Sequence, residues 1–520
     1  MKTLKSLFRF FMITILSSVI IVLFYSCEKP ISDELYLEDS VSIEESLPWQ
    51  DLLSQLDLGS EILFVQQDES IQDVVDAAKS GSVIYIEPGN YQEEISIDKL
   101  DLKLIGLGLT PDDLIIKNAE KSNIEIINLY DQSGFDNLQN KSFNSGKSSC
   151  LNNMTREDLG GGIAHYQFEV VMGPGEFDVV RIHRVVRESR AYKPVRTKGH
   201  VFMVHGAIQD FDDVFLTAGA ETIDAKTSSS FYLASNDIDV WGIDMGWNMV
   251  PLETTDFSFM QGWGIEKDID HALTAMSIAR LIRGLTRQGF SRMNLLGFSY
   301  GVQIVYGAAD RETQQHWFRR DIKGIIPVDY AFKYDNESLQ ATACSDADYK
   351  EYLLNSPQYQ DDRGAGFMAF ANLTLNAPND PSQFNSSLTN LQFFMANTSQ
   401  VFCAGNQDEF FYTDPFRFIR QTVNIAPYWP MQIFYEVSAC GCPTRDVTFD
   451  DHLGEISLPI LYIGSEIATG EAGIFSSSLT ASTDITNHIV PGYSHSDLWL
   501  GYDADQLVWS PLRNWLKNHK

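Results

Sequence analysis

Cysteine and basic residues are scarce in this sequence. Six cysteines in 520 residues are too few for a disulfide framework, and a chain of this length does not need one. Only 38 Lys and Arg stand against 70 Asp and Glu, so the formal net charge is −32. This acidity argues against nucleic acid and anionic lipid surfaces as partners, because both would repel the chain. Beyond residue 27, no apolar run is long enough to span a bilayer.

The overall composition is that of a globular protein. Hydrophobic residues make up 44% of the chain and charged residues 21%, which excludes an intrinsically disordered chain. Five cysteines lie beyond Cys27, and this odd number leaves at least one of them unpaired. The Cys440-Gly441-Cys442 segment lacks a second pair of suitably spaced ligands. We therefore predict no zinc site there and no thiol nucleophile.

The first 27 residues have the pattern of an export signal. Three basic residues precede an apolar segment from residue 10 to residue 25, and Ser26 and Cys27 follow. A small residue followed by Cys resembles the bacterial lipobox, in which the Cys becomes the lipidated N-terminus. The pattern predicts an exported protein, anchored by lipid to the outer membrane, the cell surface or the periplasmic face. In that case the chain contacts membrane only through its N-terminal anchor; an uncleaved signal anchor is the alternative.

The next 130 residues divide by composition into three parts. Residues 28–60 are acidic and are predicted to be a tether. Residues 61–130 contain a helical segment after Ser70 and short apolar stretches about ten residues apart, separated by turn residues. The stretch 71–106 resembles the opening coil of right-handed parallel β-helix proteins related to pectate lyases, and we interpret it as a small non-catalytic module. Residues 131–155 are rich in Ser, Asn, Gly and Lys and are predicted to be a linker.

The remaining residues, 156–520, alternate between predicted strands and helices, which indicates an α/β domain with a mostly parallel sheet. A leading antiparallel pair is expected before the parallel strands, and an insertion at about residues 330–454 is expected to form a cap. The expected strands are Phe168–Met172, Val179–Val186, Val201–Val204, Val240–Ile243, Met293–Leu296, Ile322–Val328, Pro459–Ile463 and His488–Val490.

Residues 297–301 (Gly-Phe-Ser-Tyr-Gly) have the pattern of a nucleophile elbow. They lie between a predicted strand and a predicted helix, where a sharp turn needs glycine on both sides because a Cβ would clash. Such a turn holds the serine side chain above the sheet, at the positive end of a helix. The pattern predicts that Ser299 is a nucleophile.

The other groups that such a nucleophile needs occur in the expected order. His205 ends a predicted strand, and the backbone N–H groups of Ala207 and Tyr300 are candidates for an oxyanion hole. His495 follows the last predicted strand, at the position of a general base. For His205 we favour a structural role for the ring, and for His495 the alternative is a surface loop histidine.

Several segments of the C-terminal region match one enzyme family. They are the predicted hairpin 168–182, the strand segment 201–206, the segment 239–248 and the histidine loop 494–504. They resemble the gastric and lysosomal acid lipase branch of the α/β-hydrolase superfamily, over roughly residues 160–330 and 456–518. The resemblance implies an α/β-hydrolase fold with a mostly parallel central sheet and a long cap insertion, preceded here by the small β-helix-like module.

The chain departs from this family around the nucleophile and at the acid. Phe298 and Tyr300 stand where family members usually have His and Gln. Family members place the acid after the seventh strand of the fold, where this chain offers Glu466, with Glu471 further into the loop. The sixth strand is followed instead by Asp329, where the family has a small uncharged residue. We predict Asp329 as the acid and Glu466 as the second choice; hydrogen bonding to loop amides is the structural alternative for Asp329.

The resemblance implies hydrolysis of a carboxylic ester through an acyl-serine intermediate, with no metal or organic cofactor. Peptidase and thioesterase activity could use the same groups, and carbohydrate esters are as compatible with the N-terminal module as lipid esters. A non-catalytic cell-surface lipoprotein that binds a ligand or glycan on a hydrolase scaffold is the alternative function. Aromatic residues of the cap suit an apolar acyl or aryl group, or form the core of the cap itself; they are Phe367, Phe370, Phe393, Phe394, Phe410, Phe411 and Trp429.

Overall fold

The computed structural model describes residues 61–107, 115–117, 123–127, 151–216 and 227–520, apart from residues 68, 90 and 92. The predicted signal segment with Cys27, the tether 28–60 and Cys150 lie outside the described residues. Within the described ranges, no helix is both long enough and apolar enough to cross a membrane.

Short parallel strands build the N-terminal part of the described chain. Strands β1, β2, β4 and β6 pair in parallel in one sheet, and β3 pairs in parallel with β5. A helix, α1, begins after Ser70, whose side chain accepts a hydrogen bond from the amide of Asp73. The bounds are β1 (Ile62–Val65), α1 (Ile71–Ala77), β2 (Val83–Ile86), β3 (Glu94–Ser96), β4 (Lys103–Leu107), β5 (Ile115–Lys117) and β6 (Asn123–Ile127).

This N-terminal module shares apolar contacts with the rest of the chain. Its buried core includes Phe318, from the segment just before a strand of the central sheet. The ring of Phe290 lies 5.4 Å from that of Phe64, and Arg319 forms an ion pair of 2.8 Å with Glu61. The module is therefore packed on the residues that enter two strands of the central sheet.

The central sheet has ten strands. Its order is β18-β17-β14-β13-β11-β12-β9-β8-β7, with β10 paired to β9. The strands from β18 to β12 run parallel, and β9, β8 and β7 continue the sheet in antiparallel pairs. The bounds are β7 (Leu151–Gly160), β8 (Ile163–Val171), β9 (Val179–Arg190), β10 (Lys193–Pro194), β11 (Gly199–Val204), β12 (Ile238–Asp244), β13 (Met293–Phe298), β14 (Ile322–Val328), β17 (Ile460–Ser465) and β18 (Ile485–Val490).

The start of the sheet differs from the predicted linker boundary. Strand β7 begins at Leu151, so residues 151–155 belong to an edge strand paired with β8. Three of these five residues, Asn152, Asn153 and Thr155, are polar, and an edge strand can carry polar side chains because part of it faces water. Composition alone therefore did not distinguish the strand from a linker.

Helices follow most of the parallel strands because buried parallel sheets need apolar cover. The long helix α3 packs against α4, which contacts β13 and β14, while α12 contacts β11. The bounds are α2 (Ser229–Ser235), α3 (Ile265–Leu285), α4 (Gly301–Thr313), α10 (Gly470–Ser478), α11 (Asp497–Leu500) and α12 (Ser510–Asn518), with short turns at 212–216, 246–249, 258–260, 317–319, 453–455 and 505–509.

The cap lies between β14 and β17, as the length of the insertion predicted. Five helices and one two-stranded pair form it, and a disulfide joins Cys344 to Cys442 across 98 residues of sequence. Cys403 and Cys440 are buried free thiols. The bounds are α5 (Glu337–Asn355), β15 (Gln360–Asp361), α6 (Arg363–Asn376), α7 (Asn390–Thr398), α8 (Pro415–Val423), β16 (Trp429–Pro430) and α9 (Met431–Gly441).

Candidate active site

Ser299 occupies a strained turn between β13 and α4. Its φ is 54°, in the left-handed region that non-glycine residues rarely adopt. A Cβ on Gly297 would overlap the carbonyl of Gly301, and one on Gly301 would lie 2.5 Å from the carbonyl oxygen of Val204. The two glycines predicted to flank the turn are thus sterically required, and Ser299 itself is only partly buried.

The loop after β11 lies directly against this turn. A Cβ on Gly206 would sit 3.1 Å from that of Ser299. The amides of Ala207 and Tyr300, both predicted for an oxyanion hole, donate no hydrogen bond to any described residue. Buried or half-buried amides are nearly always paired, so two undonated amides beside one hydroxyl form a ready site for an anionic oxygen.

His495 and Asp329 are brought together although 166 residues separate them. The Nδ1 of His495 is 2.7 Å from Oδ2 of Asp329, and the carboxylate is fully buried. The imidazole also stacks on Phe298, the residue before Ser299, with ring centroids 4.5 Å apart. Ser299 and His495, both within the described residues, share no direct hydrogen bond. Hydrogen bonds between a nucleophile and its base are often long in unliganded sites.

The carboxylate of Asp329 is held by residues that sequence reasoning did not identify. Its oxygens accept hydrogen bonds from the amide and hydroxyl of Ser465, at 2.7 and 2.9 Å, and from the hydroxyl of Thr469 at 3.0 Å. Ser465 ends β17, near the place where the family resemblance expects the acid. The Ser465 hydroxyl was the signal available in the sequence. A hydrogen-bond donor at the end of β17 can bind a carboxylate that follows the neighbouring strand, β14.

Glu466, the second choice for the acid, has a different partner. Its Oε2 accepts a hydrogen bond of 2.8 Å from the amide of Gly492, in the turn that leads to His495. Among the described residues no hydrogen bond connects it to the imidazole. Glu471 lies in the first turn of α10.

Comparisons with known proteins give structural matches only. No protein-family model and no curated protein matches this sequence. A candidate lipase from Sulfolobus solfataricus is similar in structure, with a TM-score of 0.52 and 19% identity over 71% of this chain and 100% of that one. A monoglyceride lipase from Saccharomyces cerevisiae, solved with a substrate analogue, is 12% identical over 73% of this chain and 98% of that one, with a TM-score of 0.36.

The chain has the α/β-hydrolase fold. The predicted fold class is thereby confirmed, since the sheet order agrees with the likeness to the Sulfolobus solfataricus structure. At these identities the likeness establishes the fold alone.

Tyr300, where the acid lipases have Gln, is fixed by its side chain within this hydrolase fold. Its hydroxyl donates to Asp268 on α3 at 2.8 Å, and Trp247 donates to the same oxygen at 3.1 Å. Burial raises the pKa of Asp268 to about 6, although both hydrogen bonds act in the opposite direction. The side chain of Tyr300 therefore anchors the residue whose amide faces the candidate oxyanion site.

The cap of the hydrolase fold is joined to the histidine loop by hydrogen bonds. The amide of Ser496 donates to the carbonyl of Phe402 at 2.6 Å, and the hydroxyl of Ser494 donates to that of Val401 at 3.0 Å. The ring of Phe402 lies 6.5 Å from that of His495. Both neighbours of the candidate base are thus bonded to one short cap segment.

Asp497 completes this connection. Its fully buried carboxylate accepts hydrogen bonds from the amide of Ala404 at 2.7 Å and the hydroxyl of Thr413 at 2.6 Å, both in the cap. It also accepts one from the amide of Ser494 at 2.9 Å, within the histidine loop. A single carboxylate therefore joins the two segments two residues after His495.

Most cap aromatics pack against one another, which favours their structural interpretation. Phe394 and Phe410 are buried in a cluster with Phe418, and Phe370 packs against it. Trp429 is different: its ring lies edge-on to that of Tyr300 at 5.2 Å. Trp429 and Phe402 are thus the cap rings in contact with the candidate site.

Proposed function

We propose that this chain is a serine hydrolase that cleaves carboxylic esters through an acyl-serine intermediate. One set of contacts supports the proposal: Ser299 occupies a strained turn against the loop that carries Ala207, and the amides of Ala207 and Tyr300 donate to no described residue. The imidazole of His495, stacked on the residue before Ser299, is hydrogen-bonded to a buried carboxylate. These are the parts required for acyl transfer, and they come from separate strands of the sheet.

The roles follow from the positions. Ser299 Oγ attacks the ester carbonyl while His495 Nε2 takes its proton, and the proton then passes to the leaving alcohol. Asp329 accepts from Nδ1, so it selects the tautomer with Nε2 free and stabilises the imidazolium. The amides of Ala207 and Tyr300 hold the oxyanion. Water, activated by the same imidazole, then hydrolyses the acyl-serine.

For the substrate, we propose an ester with an apolar acyl group. The support is Phe402, a partly buried cap residue whose ring lies 6.5 Å from that of His495. The Sulfolobus solfataricus neighbour is itself a candidate lipase, which is in keeping with this choice. A series of nitrophenyl esters of increasing chain length should give a kcat/KM that rises with acyl length; a maximum at acetate would contradict an apolar acyl pocket.

Labelling with a fluorophosphonate tests whether the chain is an enzyme at all. The full chain should label at Ser299 and hydrolyse nitrophenyl esters, whereas Ser299→Ala should lose labelling and about 10⁶ of kcat, as for other triad nucleophiles. Ser258→Ala, at an exposed serine, is the matched control. Unlabelled but folded wild type would favour the alternative of a surface binding protein.

We also propose that the protein is an exported lipoprotein anchored through Cys27, which rests on the signal pattern alone. Wild type should fractionate with membranes, and Cys27→Ser should be released or remain unprocessed. Wholly soluble wild-type protein would contradict lipidation.

A further inference from the structure

A second cluster of polar side chains lies at β8 and β9, two antiparallel strands of the central sheet, and is not used by the proposed reaction. Nε2 of His165, on β8, is 3.0 Å from Nδ1 of His183, on β9. An oxygen of Asp212, in the turn that follows the oxyanion loop, lies 3.8 Å from the first nitrogen and 3.7 Å from the second. The two histidines are 2% and 0% exposed, so their ligand atoms converge inside the protein.

We propose that His165, His183 and Asp212 bind a divalent transition-metal ion, with Zn²⁺ as the reference case. The point equidistant from the three ligand atoms, in their plane, is about 2.0 Å from each, the length of Zn–N and Zn–O bonds. Two imidazoles and one carboxylate are a ligand set that this class of ion prefers.

The surroundings of His183 match those of a metal ligand. Its other nitrogen, Nε2, is 2.9 Å from Oδ2 of Asp244, and metal-bound histidines usually have such a carboxylate on the far side of the ring. Asp244 is itself fixed, because its Oδ1 accepts from the amide of Phe211 at 2.8 Å. The ring of Phe211 stacks on His183 with centroids 4.5 Å apart. The orientation of this imidazole is therefore determined before any ion binds.

Access and charge also suit a cation. The side chain of Asp212 is 36% exposed although its Oδ1 is buried, so an ion would enter as this carboxylate turns. Asp212 and Asp244 supply two carboxylates, and Arg181 lies 3.5 Å from Asp244. The histidine nitrogens share one hydrogen bond, and an incoming ion would take the place of its proton. In a neutral pair this proton moves to the other nitrogen of the same ring, so that both imidazoles bind the ion in their neutral form.

Bound at this position, the ion would join the β8–β9 hairpin to the segment that carries Ala207. It would touch no reacting group, since Ala207 precedes Asp212 by five residues and contributes only its amide. The proposed site is therefore structural, and it stands whether or not the proposed ester hydrolysis is correct.

Equilibrium dialysis of the full chain against ZnCl₂, without a histidine tag, tests the site. Metal content is measured by elemental analysis, and melting temperature is recorded with and without metal. We expect one Zn²⁺ per chain and a higher melting temperature with metal. His165→Gln and Asp212→Asn should each weaken binding at least about tenfold. His200→Gln, at an equally buried histidine on β11, should bind as wild type does.

Two results would overturn the proposal. One is wild-type protein that retains no Zn²⁺ above the level of His165→Gln. The other is wild-type affinity in Asp212→Asn; because Asp212 is partly exposed, this variant remains informative if His165→Gln fails to fold.

Discussion

The carboxyl edge of the central sheet and the cap contribute to the candidate site in different ways. Ser299, Asp329 and His495 all follow strands of the sheet, and every group assigned to bond making comes from this edge. The cap supplies backbone carbonyls, an amide and a hydroxyl, and these contact the neighbours of His495 instead of the imidazole nitrogens.

The groups that react therefore come from the sheet, whereas the cap positions the loop that carries His495. Changes at the sheet edge should reduce turnover by orders of magnitude with little change in stability. Changes in the cap should act through the position of the histidine loop, and their effects on turnover should be smaller.

We expect the largest difference in turnover between a variant at the end of β14 and one at the end of β17. Asp329→Asn should lower kcat by about 10⁴, because the amide favours the wrong tautomer of His495. Glu466→Gln, the matched control, should lower it less than about threefold, since its partner is the Gly492 amide. Steady-state kinetics on a soluble ester measures both; the reverse ranking would return the acid to β17.

Changing the contact between the histidine loop and the cap should have an intermediate effect on turnover. Asp497→Asn removes the charge from all three contacts and turns an amide NH₂ toward the Thr413 hydroxyl, which must then accept in place of donating. We expect kcat to fall about 10- to 100-fold with little change in KM, because His495 is displaced while the substrate surface is kept. Asp503→Asn, at an exposed aspartate of the same loop, is the control.

Thr413→Val should reproduce part of the Asp497→Asn effect, since it removes one of the same hydrogen bonds. A loss of thermal stability without any change in kcat would mean that Asp497 only supports the fold.

Within the cap, the disulfide should affect stability more than turnover. Closing a loop of about 100 residues contributes about 4.7 kcal/mol in the chain-entropy model, and the bond joins residues outside the candidate site. Cys344→Ser and Cys442→Ser should therefore lower the free energy of unfolding by similar amounts, seen in denaturant titrations. Turnover of the folded variants should stay within about twofold of wild type. A larger loss would mean that the part of the cap around this disulfide contributes to the reaction.

The smallest effect on turnover is expected from the N-terminal module. Removal of residues 28–150 should leave kcat/KM within about twofold of wild type, because none of the module's described residues lies at the carboxyl edge of the central sheet. It should lower the melting temperature, since Phe290 and Phe318 lose their apolar cover. Loss of ester hydrolysis in a folded, truncated protein would give the module a part in catalysis.

Sequence patterns predicted the sheet well because its strands are local, apolar and separated by turn residues. The strand Ile322–Val328 was predicted with its observed bounds, and the glycine pair around Ser299 located the sharp turn. The pairing of His495 with Asp329 could be proposed because both follow strands whose order the family resemblance implies.

The remainder depended on contacts between distant segments that no local pattern reports. The hydroxyl of Ser465 beside Asp329 and the cap carbonyls beside the histidine loop follow from how separate elements pack. The polar edge strand at Leu151 was not distinguished from a linker, because polar residues suit both. Phe298 and Tyr300 depart from the family pattern, but the ring of Phe298 stacks on His495 and the hydroxyl of Tyr300 donates to Asp268. Residues that differ from a family pattern can therefore make specific contacts of their own.

The N-terminal module packs against the ends of β13 and β14 that lie opposite the candidate active site. Phe290 lies just before β13 begins and Phe318 just before β14 begins, whereas Ser299 and Asp329 follow the opposite ends of these strands. Glu61, at the start of the described chain, forms its ion pair with Arg319 on this same side of the sheet. A label or a solid support attached near Glu61 would therefore leave the candidate active site open to bulky substrates such as droplets or polymers.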